Sequence, residues 1–141
     1  MMMAGRWLRT LPVLPVRDME IAIAWYEQAL QLRTVYRHAG DLPSELTNYA
    51  ILTRDGLHIH LILDESPSQN DNAHADGLEA PAWTTAGTGY LYLLVQDIDE
   101  CHLEVQSRKI EISRELQTEI WGARAFNLVD PSGNVIHIEQ A

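Results

Sequence analysis

Two stretches of the chain alternate apolar and polar positions in the same way, each led by a glycine. GLHIHLIL at 56–63 sets Leu57, Ile59 and Leu61 against His58, His60 and Ile62; GNVIHIEQ at 133–140 sets Ile136 and Ile138 against His137 and Glu139. Side chains alternate across a strand, so each stretch predicts a strand with one apolar face, suited to carry a helix, and one polar face. The turn signatures RDG and DPSGN stand at their heads.

The pattern upstream repeats as well. LPVLPVRDMEIAIAWY (11–26) lies over YLYLLVQDIDECHLEV (90–105), with Asp18 on Asp97, Val16 on Val95 and Met19 on Ile98. From the aspartate to the aligned histidine is 42 residues in the first half (18–60) and 40 in the second (97–137). Each half opens on a β-rich run, LPVLPV or YLYLLV, and passes through an aspartate able to N-cap a helix. DIDE at 97–100 also spells a capping box. Helical patterns follow over MEIAIAWYEQAL and IDECHLEVQSR, where Ile98, Cys101 and Val105 recur at helical spacing. Three short strands then complete each half: about LRTVYRH, NYAILT and LHIHLIL in the first, and about EISREL (111–116), ARAFNLV and VIHIEQ in the second. The layout is βαβββ written twice, an α+β fold in a single domain. Module 1 covers about 11–63, a polar linker about 64–88 and module 2 about 89–140. A connection of that length predicts a linker, lid or binding loop rather than a packed turn.

Composition narrows the function classes. The 141 residues are 46% hydrophobic and 21% charged, an ordinary globular balance. Twenty acidic side chains against ten basic ones give a formal charge of -10, which repels phosphate backbones and makes nucleic acid a poor partner. The same field favours a cationic small molecule, although acidic surfaces also serve solubility alone. Asp64, Glu65, Asp71, Asp76 and Glu79 gather around the linker, as solvated surface or as the rim of a groove that attracts a cation. One cysteine, Cys101, excludes an internal disulfide and reads as a small buried apolar residue. Pro12 and Pro15 break the N-terminal apolar run before signal or membrane length, so the expected location is the cytoplasm and no membrane partner is expected.

Chemistry concentrates on the polar strand faces, where His58, His60, His137, Glu139, Tyr90 and Tyr92 fall. His60 and His137 are quasi-symmetric. They read as a metal pair, as hydrogen-bonding walls of an unmetalled cleft, or as ordinary satisfied histidines. His58 or Glu139 would add a third donor, but residues two apart on a strand are separated by roughly 6 to 7 Å along it, which makes a shared tetrahedral centre awkward. Trp83 in the linker and Trp121 before Gly122 suit either stacking on a flat ligand or a subunit interface. Trp25, Tyr26 and Phe126 read as core. No nucleophile elbow, phosphate-cradling glycine loop or H-E-x-x-H helix is present.

The doubled βαβββ plan resembles the vicinal oxygen chelate superfamily, which holds glyoxalase I, the fosfomycin-resistance enzymes, extradiol dioxygenases and the bleomycin-resistance proteins. PVLPVRDMEIAIAWY resembles the opening strand and helix of the bleomycin-resistance branch, and WGARAFNLVDPSGNVIHIEQ (121–140) its closing Trp-Gly, strand, DP-x-GN turn and last strand. The resemblance implies a homodimer with ligand grooves at the interface and leaves open whether the first strand is exchanged between chains. It also implies metal ligands, in the metal-using members, from the first and last strand of each unit. Position by position these fall on Leu11, His60, Tyr90 and His137. Leucine cannot ligate and tyrosine is not the usual choice of the glyoxalase I or fosfomycin enzymes there, so two plausible donors remain where a catalytic divalent site normally takes at least three.

The expectation is therefore a non-catalytic protein, without cofactor, that sequesters a cationic antibiotic or similar small molecule. Trp83, Trp121, Tyr90 and Tyr92 would stack on the ligand, and His58, His60, His137 and Glu139 would anchor it. The alternative is a metal-dependent glyoxalase-like lyase or dioxygenase of the same superfamily, with His60 and His137 as ligands. A small-molecule sensor is a third reading, since one fold hosts unrelated activities.

Overall fold

Each half of the chain folds into one four-stranded sheet. The computed structural model describes residues 4–39, 47–64 and 85–141. Module 1 runs β1 (Val13–Val16), α1 (Met19–Ala29), β2 (Arg33–Ala39), β3 (Thr47–Arg54) and β4 (Leu57–Leu63). Module 2 runs β5 (Tyr90–Val95), α2 (Ile98–Ser107), β6 (Arg114–Thr118), β7 (Arg124–Val129) and β8 (Val135–Gln140). The strand orders are β1-β4-β3-β2 and β5-β8-β7-β6. In each sheet the first strand runs parallel to the last, because the helix carries the chain back across the sheet, and the other pairings are antiparallel. Val13 stands opposite His60 and Tyr92 opposite His137, positions that superpose under the Asp18-on-Asp97 alignment. The duplicated α+β plan is thus the architecture.

The two helix starts differ. Asp18 has extended backbone and accepts the Ile21 N–H at 3.0 Å, an ordinary N-cap. Asp97 sits in the left-handed region (φ 56°, ψ 60°) and makes no capping bond, so the capping box predicted from DIDE does not form. Gln140, at the end of β8, replaces it: its Oε1 accepts the Ile98 N–H at 2.9 Å. The sixth strand also departs from expectation, running Arg114–Thr118 rather than 111–116. Ile110 and Ile112 pack against the core from irregular backbone, and the ladder to β7 begins only afterwards, with a bulge between Arg114 and Gln117. Cys101 is half-buried rather than buried, its Sγ lying 3.6 Å from the Gln96 carbonyl.

One continuous apolar core joins the modules. Leu14, Tyr26, Leu52, Ile59 and Leu61 of module 1 cluster with Leu91, Phe126, Leu128, Ile136 and Ile138 of module 2. A fully buried side chain of this size contributes about 1.5–3 kcal/mol. Tyr26 and Phe126 are wholly buried as predicted, while Trp25 packs partly buried and edge-on against Tyr26.

Polar bonds join the modules near Arg108, whose guanidinium donates to the Ala29 carbonyl, and most extensively at the turn between β7 and β8. The Asn134 Nδ2 donates to the Pro15 carbonyl of β1 at 2.7 Å, and its Oδ1 accepts the Gly89 N–H at 2.7 Å. The Tyr26 hydroxyl donates to Asp130 Oδ2 at 2.7 Å, and the Arg17 N–H donates to Ser132 Oγ at 2.8 Å. Asp130 is buried with no cation paired to it among the described residues, but Tyr26, the Asn134 amide and the N–H groups of Ser132 and Asn134 satisfy it. Gly89 is required here: a Cβ would lie 2.7 Å from both Leu14 Cδ2 and Asn134 Oδ1.

Candidate functional site

On the face of the second sheet away from the core, β5 and β8 lay out four side chains in pairs. Tyr92 lies directly across the ladder from His137, with ring centroids 4.6 Å apart, and Tyr90 lies nearly parallel to the same imidazole at 6.2 Å. Two residues beyond His137 comes Glu139, whose Oε1 is 3.1 Å from His137 Nε2. Trp121, on the β6–β7 turn, donates its indole N–H to that same oxygen at 3.0 Å. The sheet therefore gathers Tyr90, Tyr92, Trp121, His137 and Glu139, all expected from the sequence.

Exposure separates their roles. His137 and Glu139 are 3% and 6% exposed, whereas Tyr90, Tyr92 and Trp121 are 59%, 49% and 58% exposed. A covered carboxylate thus lies beside two accessible aromatic side chains, Tyr92 and Trp121, with Tyr90 further along the sheet against His137. The Tyr92 hydrogen bond is the main influence holding the Glu139 carboxyl below the ordinary range, aided by His137 and Trp121 against partial desolvation. The same bond pushes the Tyr92 phenol up to about 12. Tyr92 and Trp121 are neutral donors, so they orient the carboxylate without cancelling its charge. His137 Nδ1 faces Asn127 Oδ1 at 2.7 Å, so both ring nitrogens meet acceptors. A neutral ring satisfies that arrangement by donating from Nε2 to Glu139 and accepting at Nδ1 once the Asn127 amide turns to present its NH2. Nearby, Glu119 is ion-paired with Arg114, which lowers its carboxyl pKa.

The matching face of module 1 carries His58 and His60, with ring centroids 5.8 Å apart. The Tyr49 hydroxyl is 2.6 Å from His60 Nδ1, while His60 Nε2 is buried and has no hydrogen-bond partner among the described residues. Burial is the main cause of a lowered His60 pKa, followed by His58 and Arg9. A cleft of about 270 Å³ runs from Arg9, Leu11 and Pro12 past His58 to Tyr92, so both modules border it.

Trp83 and the acidic residues Glu65, Asp71, Asp76 and Glu79 lie outside the described residues. Asp64 accepts the Ala86 N–H at 2.8 Å. Tyr49, Asn127, Arg9 and the Arg114–Glu119 pair were not singled out from the sequence. A polar Asn127 within ARAFNLV was a visible signal; Tyr49 becomes significant only through the β3–β4 register.

The resemblance-derived metal positions do not fit a bound cation. Val13 rather than Leu11 stands opposite His60, and Tyr92 rather than Tyr90 opposite His137, yet neither register supplies an aliphatic position with a donor. Among the described residues, no three His, Cys, Asp or Glu side chains are gathered so as to hold one ion. Nor, among those residues, is any helix long and apolar enough to cross a membrane.

Comparison with known proteins agrees with the doubled fold. Residues 9–138 match the model of the Glyoxalase/Bleomycin resistance protein/Dioxygenase superfamily. A bleomycin resistance protein of Geobacillus stearothermophilus is 28% identical over 138 residues, covering 94% of this chain and 96% of that protein. Among solved structures, a bleomycin-binding protein complexed with bleomycin is 24% identical with a TM-score of 0.68, covering 96% of this chain and 99% of the other. TioX from Micromonospora sp. ML1 is 17% identical with a TM-score of 0.70, covering 95% and 98%. The chain belongs to the Glyoxalase/Bleomycin resistance protein/Dioxygenase superfamily.

Proposed function

We propose that the protein binds a flat, cationic small molecule of the antibiotic type and sequesters it unchanged, in a cleft completed by a second copy of the chain. The observation that carries this reading is the covered Glu139 carboxylate beside Tyr92 and Trp121, with the half-exposed rings of Tyr90 and Tyr92 set against His137. Aromatic faces supply contact area and attract cations, and a carboxylate oriented by neutral donors keeps its charge for the guest. The overall charge of -10 favours the encounter. The relatives bear on the ligand class, because those matched over nearly the whole chain are bleomycin resistance proteins.

Dimerisation follows from the apolar surface left uncovered. Val13, Tyr90, Tyr92, Leu94 and Trp121 stay exposed on the sheet faces, and a second copy would cover them while closing the grooves. Isothermal titration of the metal-free chain with metal-free bleomycin, alongside sedimentation analysis, tests both parts. Saturable binding to a dimer at micromolar ligand is expected; no heat at those concentrations defeats the sequestration reading, and a monomer that binds defeats the shared cleft. The catalytic alternative needs a stoichiometric ion between His60 and His137, which metal analysis of the purified protein detects.

A further inference from the structure

We infer that His58 and His60 form a self-contained chelate on β4 for a late first-row divalent cation, copper(II) foremost. The site lies wholly within module 1 and is independent of the ligand reading for module 2.

Three observations carry it. The strand spacing alone set these residues too far apart, but the rings lean together to a centroid separation of 5.8 Å at 45°. When two imidazoles each place a nitrogen about 2.0 Å from one ion, their ring centres fall about 5 to 6 Å apart. The observed separation therefore already lies in the chelating range.

Second, His60 Nε2 is a buried polar atom without a partner among the described residues, a situation that an ion or a water relieves. Third, the Tyr49 hydroxyl lies 2.6 Å from the other ring nitrogen, in the place of the outer partner that orients a ligating histidine. With Nδ1–H donating to the Tyr49 oxygen, the Nε2 lone pair is left free for a metal. The lowered His60 pKa agrees, since a neutral imidazole is the ligating form.

Two features oppose loading, and both are local. Arg9 is the cation facing the pair, and its repulsion is offset in part by the acidic balance of the chain. His60 Nε2 is closed to solvent at rest, so entry requires a local side-chain rotation, an ordinary motion. Imidazole donors favour copper, nickel and zinc, and the affinity order among divalent ions places copper first. Water would complete the coordination.

Copper(II) alone, titrated into the full chain and followed by calorimetry and electron paramagnetic resonance, tests the site. One ion per chain is expected, with hyperfine structure from two nitrogens. His58→Gln and His60→Gln should each abolish it, and Tyr49→Phe should weaken binding by about ten- to a hundredfold. His137→Gln should leave it unchanged. Absence of stoichiometric binding, or a two-nitrogen signal that survives His58→Gln, overturns the inference. Loss of the signal in folded His137→Gln also overturns it, by placing the ion between the modules. His58 lies on the outer face of the sheet, so its variant remains informative should His60→Gln fail to fold. Bleomycin titration of the metal-free chain reads the module 2 proposal separately.

Discussion

Tyr92 and His137 face one another across the parallel β5–β8 ladder with ring centroids 4.6 Å apart, and Glu139, one step along, takes hydrogen bonds from both. The tyrosine thereby holds the proton while the glutamate holds the charge.

That division is measurable in the phenol. Ultraviolet titration of the five tyrosines should show a component near pH 12 that vanishes in Tyr92→Phe, while the buried Tyr26, raised by burial and by Asp130, stays late in both proteins. In Glu139→Gln the Tyr92 phenol should ionise earlier, since its acceptor no longer carries charge. A Tyr92 that titrates with the exposed tyrosines in the parent protein would refute the hydrogen bond.

Glu139→Gln should also weaken a cationic ligand by about tenfold or more, because the amide keeps the shape but removes the attraction. Raising the salt concentration should weaken the parent more than the variant if the charge acts as described. Equal affinity of the two proteins, read by calorimetry, would remove Glu139 from the site.

Asn134→Ala deletes the amide that spans the modules and leaves the buried Pro15 carbonyl and the partly buried Gly89 N–H without their partner. Each such orphan costs about 1–3 kcal/mol, so a loss of about 3 kcal/mol is expected in denaturant unfolding. Tyr26→Phe, which removes one bond to Asp130, should cost about 1–2 kcal/mol. Because both side chains bond Asp130, the double variant should lose less than the sum.

The His60 imidazole gives stability a pH dependence of definite sign. Its pKa in the folded state lies below the ordinary 6.5, so the unfolded chain binds the proton first as pH falls. The contribution is complete above 6.5 and is lost as pH drops from there through the depressed folded value. His60→Gln should flatten this part of the stability curve, measured by unfolding at a series of pH values.

Much of the fold was legible because the helix and strand periods are written plainly. The bounds of β4, β5 and β8 coincide with LHIHLIL, YLYLLV and VIHIEQ, whose alternation decides which face is buried. β6 was displaced because Ile110 and Ile112 look like strand residues yet reach the core from irregular backbone. Asp97 misled for a related reason: its composition suits a cap, but its left-handed backbone leaves the Ile98 N–H to a glutamine 42 residues away. The pairing of Glu139 with Trp121 could not be read from the chain, since it depends on how the β6–β7 turn folds back over the sheet. Tyr49 was hidden likewise, its closeness to His60 being set by cross-strand register.

The joint at Asn134 constrains any lending of β1 to a neighbouring molecule. Pro15 and Arg17 flank the end of that strand, and both are bonded to the turn of their own second module. A donated strand would have to shed these bonds and regain equivalents from the recipient's turn. Exchange would then proceed through an opened molecule with Asn134 and Ser132 temporarily unmatched, which makes intertwining a slow event set by unfolding rather than a simple collision of finished subunits.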